Sequence, residues 1–285
     1  MSTIAAYGRA GLAVVGDGSA AHGDPAQDPS AVLTALGTDV RLLRDHAHLA
    51  AFPVAVTVRE AGQLSAALRA LPPGTTAIFL TRTEPGRARP AQQDLAGTST
   101  VPVVTEQDTV GIALTAALLT TLRRAGVSPQ SSRVVVTGPR TLPLLVPLLT
   151  AAGVGDLVSW NKADAAAFPL SGVARDATAV IDLIAAASAL PPAFAADVPV
   201  LVADDPVGHL LALPGVLRAL RETPATGFGA DPLYRLDVHC ACARALAALT
   251  PVDRMLPELS DPELTDAVAQ AAAGALQPPT STKNL

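Results

Sequence analysis

The sequence predicts an α/β fold: a first α/β domain, a second Rossmann-like domain on a parallel sheet, and closing helices. Three observations carry this. Short apolar runs rich in Val, Ile and Leu alternate with longer Ala/Leu segments of helical period, the signature of repeated β-α units. A fresh strand–turn–helix unit opens at Arg133. After Val202 the pattern turns entirely helical.

In chain order, strands are expected at 12–15, 53–58, 77–80, 101–104, 133–137, 157–160, 179–183 and 198–202. Helices fit the intervening segments at about 30–50, 60–71, 108–125 and 141–152, and then at about 206–222, 234–249 and 261–275. Glu84 to Gly97, rich in Pro, Arg, Gln and Gly, reads as a surface excursion before the Val101 strand. Domain limits follow at 1–107 and 108–277, with 278–285 a polar tail.

Composition narrows the function. The 285 residues are 49% hydrophobic and 16% charged, enough for a large buried interior. Aromatics make up only 3%, so the core is assembled from Ala, Val and Leu, and stacking on nucleobases is disfavoured. A net charge of −5 with two lysines, Lys162 and Lys283, offers no basic stripe for a nucleic acid. Apolar runs such as Ile112 to Leu122 are shorter than the roughly 20 residues of a membrane span. With no signal-peptide pattern in Met1 to Gly11 and two cysteines one residue apart, the expected location is the cytoplasm.

Several ordered segments resemble the malic enzyme family, the metal- and nicotinamide-dependent enzymes that convert malate to pyruvate. LAVVGDGSA at 12–20 matches a strand followed by an Asp-Gly-Ser-Ala turn, and a helix then leads to Phe52-Pro53. PVVTEQDTVGIALTAALLTTLRRAG from Pro102 has the layout of the family's strand, metal turn and long helix. RVVVTGPRTLPLLVPLLTAAGV from Arg133 corresponds to its dinucleotide strand and turn. LLALPGVLRAL from Leu210, ARALAAL from Ala243 and SDPELTDAVAQAAAGAL from Ser260 follow its closing helices. The likeness runs from about Tyr7 to Leu276.

The resemblance implies NAD(P), magnesium or manganese, and a homodimer, but the positions that would carry the chemistry are changed. Asp39 stands where the family has its lysine base. Its tyrosine acid lies upstream of the matched region, and Tyr7 is not assigned that role. Thr81-Arg82 replace the first Glu-Asp metal pair, leaving Glu106 as the one matching carboxylate, and hard divalent cations need several oxygen ligands. In the nucleotide turn Gly138-Pro139-Arg140-Thr141-Leu142-Pro143, two prolines remove N–H donors from a site that normally cradles pyrophosphate. Gly138 and Arg140 are what remains for an anion, and Trp160-Asn161 stand at the ribose position. Gly208-His209 replace paired asparagines, making His209 a titratable newcomer.

Other polar groups have simpler readings. His46 and His48 project about 200° apart on a helix and read as surface residues. His239, Cys240 and Cys242 read as buried helix residues. Asp17-Gly18-Ser19 reads as an Asx-type turn, and Asp204-Asp205-Pro206 as a cap.

The expected function is therefore a divergent malic-enzyme-like protein without metal- and NAD-dependent decarboxylation, binding a small molecule or partner. The alternative is a cofactor-independent enzyme using Asp39, Glu106 and His209 on a metabolite in the interdomain cleft. Malic enzyme activity itself comes third.

Overall fold

The computed structural model describes residues 11–20, 28–96, 98–190, 198–203, 205–223 and 236–277. Two four-stranded parallel sheets form the frame. The first contains β1 (Gly11–Gly16), β2 (Ala51–Ala55), β3 (Thr75–Leu80) and β4 (Val103–Thr105) in the order β2-β1-β3-β4. The second contains β5 (Arg133–Thr137), β6 (Asp156–Trp160), β7 (Ala179–Asp182) and β8 (Val200–Val202) in the order β6-β5-β7-β8.

Helix α1 (Pro29–Ala47) connects β1 to β2. Asp28 caps its start by accepting from Ser30 N–H, and Pro29 occupies the first turn, where a missing N–H is harmless. Its buried face is Val32, Leu36, Asp39, Val40 and Leu43. That stripe has helical spacing and brings one carboxylate inward with the aliphatics.

Helices α2 (Ala61–Arg69) and α3 (Pro85–Ala96) cover the opposite face of the first sheet. Strand alternation divides the two sides. Leu12, Val14, Ala77 and Phe79 meet α1, whereas Ala13, Val15, Ile78 and Leu80 meet α2 and α3. The segment expected to be a surface excursion is thus α3. Ala88, Ala91, Gln92 and Leu95 form its buried stripe despite Pro90. Spacing prevails because these side chains close the core above β3.

Helix α4 (Glu106–Arg124) links the sheets. Thr105 and Asp108 form a reciprocal capping box, acids lie in its first turn, and Arg123 and Arg124 in its last, each matching the helix dipole. It is buried on nearly all sides because both cores use it. Ile112 and Ala116 join the first, while Leu114, Ala117, Leu118 and Leu122 join the second.

In the second sheet, Val134, Val136, Ala179 and Ile181 pack on α4 and α5 (Leu145–Ala152). Val135 and Val180 face Trp160 and the short α6 (Leu170–Val173). Helix α5 starts later than the expected 141, after the Pro139 and Pro143 turn. The expected helix at 206–222 is likewise shorter: a 3-10 turn at Gly208–Leu210 precedes α7 (Leu213–Glu222).

Helices α7, α8 (Leu236–Leu249) and α9 (Leu264–Leu276) pack into the core with β1 and α1. Gly215 permits close contact there: a Cβ would come within 2.5 Å of Val268. Among the described residues no helix is long and apolar enough to cross a membrane. Tyr7, Asp204 and the 278–285 tail lie outside the described residues.

Candidate functional site

Each sheet order reverses direction beside its first strand, and in open α/β sheets such switch points place ligands at the carboxyl ends of the strands. A cleft of about 500 Å³ opens there, between the two sheets. One wall comes from Ser19 after β1, Leu80 at the end of β3 with Thr83, Glu84, Pro85 and Ala88 beyond it, and Thr105, Glu106, Gln107 and Val110 at the start of α4. Arg140, Thr141, Leu142, Leu183 and Ala203, after the strands of the second sheet, form the other.

Arg82 lies at the rear of the first wall. Its backbone is left-handed, at φ 52°, a conformation that costs a non-glycine residue on the order of 1–3 kcal/mol. Two contacts hold it. Its N–H donates to Glu106 Oε2 at 2.6 Å, and its guanidinium reaches Asp39 Oδ2 at 3.2 Å and Oδ1 at 3.4 Å. Asp39 is also 3.3 Å from His209 Nε2, which lacks hydrogen-bond alignment, and the His209 ring stacks on Phe79.

Two of the three residues expected to supply acid/base chemistry, Asp39 and Glu106, therefore meet at Arg82, and His209 joins them through Asp39. They do not share the cleft. Glu106 lines it, while Asp39 and His209 are buried behind, with side chains 3% and 10% exposed. Asp39 is held by a cation and by an imidazole, which leaves it poorly placed to take a proton from a cleft ligand.

Around this cluster the polar groups are mostly engaged. Asp17 closes the expected turn by accepting from Ser19 N–H at 3.0 Å and Ser19 Oγ at 2.6 Å, and it also receives Arg87 at 2.8 Å. Ser19 Oγ accepts from Glu84 N–H at 2.8 Å. The loops after β1 and β3 are thus tied to each other.

A second polar knot went unnoticed in the sequence. Asp108 accepts from Thr105 N–H and Gln92 Nε2, both at 2.9 Å, lies 3.4 Å from Arg89, and lies 3.3 Å from His239 Nε2. Burial raises its pKa, but His239, Arg89 and Thr105 outweigh this and leave it below the ordinary aspartate value. The knot joins α3, α4 and α8 through the buried Gln92, Asp108 and His239, with Arg89 at its partly exposed edge.

The metal-site donor set is unfavourable. Thr81 and Arg82 present a hydroxyl and a cation beside Glu106, whose Oε2 already accepts from Arg82 N–H. Among the described residues no group of three His, Cys, Asp or Glu is placed to hold an ion. His46 and His48 are exposed, and His48 caps the end of α1.

In the turn after β5, expected to face a nucleotide, the chain packs on itself. Gly138 has φ 61°, and a Cβ there would meet Ile184 Cγ2 at 2.3 Å. Its N–H donates to Trp160 O, and Thr141 N–H donates to Gly138 O. In the neighbouring loop Asp182 accepts from Thr137 Oγ1 at 2.5 Å, Ala186 N–H at 3.0 Å and Ala187 N–H at 2.6 Å. An internal carboxylate thus uses donors of the kind that bind external anions. At the expected ribose position Trp160 is buried and donates to Phe168 O. Arg140 is exposed on the cleft and has no anionic partner among the described residues.

Asp205 Oδ1 accepts from Val207 and Gly208 N–H, capping the 3-10 turn rather than a long helix. Cys240 and Cys242 are buried on α8, as expected, and burial pushes the Cys242 thiol up to about 12.

No known protein family profile and no curated protein matches the chain. Solved structures do. The NAD-dependent malic enzyme from Thermotoga maritima is 18% identical with a TM-score of 0.72, over 93% of this chain and 85% of that one. Malic enzyme from Pyrococcus horikoshii is 18% identical at TM-score 0.69, covering 94% and 76%. Malic enzyme from Entamoeba histolytica is 15% identical at 0.72, covering 93% and 68%. Across nearly its whole length, the chain has the two-sheet fold of malic enzymes.

Proposed function

We propose that this chain is a non-catalytic binding protein on a malic-enzyme scaffold, one that does not carry out NAD- and metal-dependent oxidation of malate. The observation that carries the reading is the Arg82–Asp39 contact at 3.2 Å. By the resemblance, a metal-ligand position and the base position are now occupied by two opposite charges that satisfy each other. A guanidinium there repels a divalent cation and removes the free carboxylate that proton abstraction needs.

The nucleotide turn supports the same conclusion. Nicotinamide chemistry would require a pyrophosphate close to the backbone after β5, where Ile184 packs on Gly138 and prolines 139 and 143 supply no N–H. The residues present do not fit the cofactor. What remains is an open cleft with small-molecule dimensions.

The repurposed-enzyme alternative would place acid/base work on Asp39, Glu106 and His209. Burial of two of them behind Arg82 favours a supporting role instead. The deciding assay follows absorbance of reduced nicotinamide with malate, NAD or NADP, and manganese. No formation above the enzyme-free rate is expected, and turnover that disappears in Glu106→Gln would overturn the proposal.

A further inference from the structure

We infer that the cleft binds a zwitterion with an apolar body, its ammonium group at Glu106 and its carboxylate at Arg140. This deepens the proposal above and rests on the cleft not being a nicotinamide site.

The two walls of the cleft carry opposite charges. Glu106 lines the wall of the first sheet, and the one described partner of its carboxylate is the Arg82 backbone N–H. The nearby Arg82 guanidinium is engaged with Asp39. Glu106 therefore presents a carboxylate with no side-chain cation among the described residues. Across the cleft, Arg140 presents a guanidinium with no anion among them. Opposite charges left uncompensated on facing walls attract a ligand bearing both complements, while a ligand with one charge leaves the other wall unpaired.

Two further features sharpen the class. Gln107 Nε2 is shielded from solvent, lines the same cleft and has no partner among the described residues. A shielded amide donor without a partner is unfavourable and is relieved by a hydrogen-bond acceptor on the ligand. Between the polar groups the lining is aliphatic, with Leu80, Val110 and Leu142. Such a surface favours an aliphatic body over a sugar or a polyphosphate.

The test is titration calorimetry on the full chain with leucine and leucyl-leucine, which span two charge separations. The blocked analogues are N-acetyl-leucine and N-acetyl-leucyl-leucine, lacking the ammonium, and leucinamide and leucyl-leucine amide, lacking the carboxylate. At least one zwitterion should bind, with its blocked forms at least tenfold weaker. Glu106→Gln should reduce zwitterion affinity to that of the acetylated form, and Arg140→Gln to that of the amide. Circular dichroism and melting confirm that each variant is folded, and the exposed Arg140 position provides a readout if Glu106→Gln is not. Absence of zwitterion binding, equal binding of the blocked forms, or unchanged affinity in folded variants would overturn the inference. A separate titration with NAD and manganese isolates the underlying reading: heat there would overturn the non-nicotinamide assignment, whatever the zwitterions do.

Discussion

Replacing Arg82 by methionine removes the cation from the cluster while keeping an unbranched side chain and the same left-handed backbone demand. At the 3.2 Å contact with Asp39, the gross attraction at an effective dielectric of about 20 is about 5 kcal/mol. Water screens part of it, because the Arg82 side chain is 35% exposed, and burying the Asp39 carboxylate offsets more. A net loss of about 2 kcal/mol is expected for Arg82→Met, since Asp39 is left buried with His209 as its remaining partner. Asp39→Asn should lose about 1 kcal/mol, because Arg82 can turn to solvent. The double variant should be less destabilised than the sum, with a coupling of about 1–2 kcal/mol. Urea unfolding of the four proteins at neutral pH measures this cycle. A coupling below about 0.3 kcal/mol would refute the idea that the two charges satisfy each other.

Three more outcomes follow from named contacts. Asp108 has a depressed pKa in the folded protein, so its contribution is present above the unfolded value of 3.8 and is lost as pH falls through the folded one. Urea midpoints should therefore decline more steeply below that pH in the parent than in Asp108→Asn, and parallel declines would count against the knot. Gly138→Ala should destabilise by about 1–3 kcal/mol, from positive φ and the Ile184 clash. Adding Ile184→Ala should recover part of that loss, and no recovery would show that the contact is unimportant. Cys240 and Cys242, both with thiol pKa values raised by burial, should resist a thiol reagent in the native state and react as two thiols in denaturant. Rapid native labelling would contradict their packing on α8.

The layered fold was legible because its cores are assembled from period-two strands and period-3.6 helices. Val134 and Val136 face one side of the second sheet and Val135 the other, as the alternation predicts. Helix α3 was not read because Pro, Gly and Arg dominated its composition. Yet Ala88, Ala91, Gln92 and Leu95 carry the i, i+3, i+4, i+7 spacing that could have found it. The start of α5 was misplaced because Pro139 and Pro143 lie in a turn that local apolar content does not reveal.

The candidate site was half visible. Asp39, Glu106 and His209 emerged from comparison with family positions, but the contacts that link them, Glu106 to Arg82, Arg82 to Asp39 and Asp39 to His209, join segments up to 170 positions apart in the chain. No local pattern encodes that meeting. Asp39 did carry one signal, a carboxylate within the apolar stripe of α1, which implies a buried partner. The Asp108–His239 contact spans 131 positions and had no such marker, since Asp108 already looked complete as half of a capping box.

We propose that the malic-enzyme scaffold persists while its cofactor stations are closed by the chain's own groups. Thermal unfolding with and without NAD plus manganese tests this most directly. A ligand at 100 times its dissociation constant adds about 2.7 kcal/mol, equivalent to several degrees for a chain of this size. An unchanged melting temperature is expected at millimolar NAD and manganese, and a saturable rise of that size would show that the cofactor stations are open.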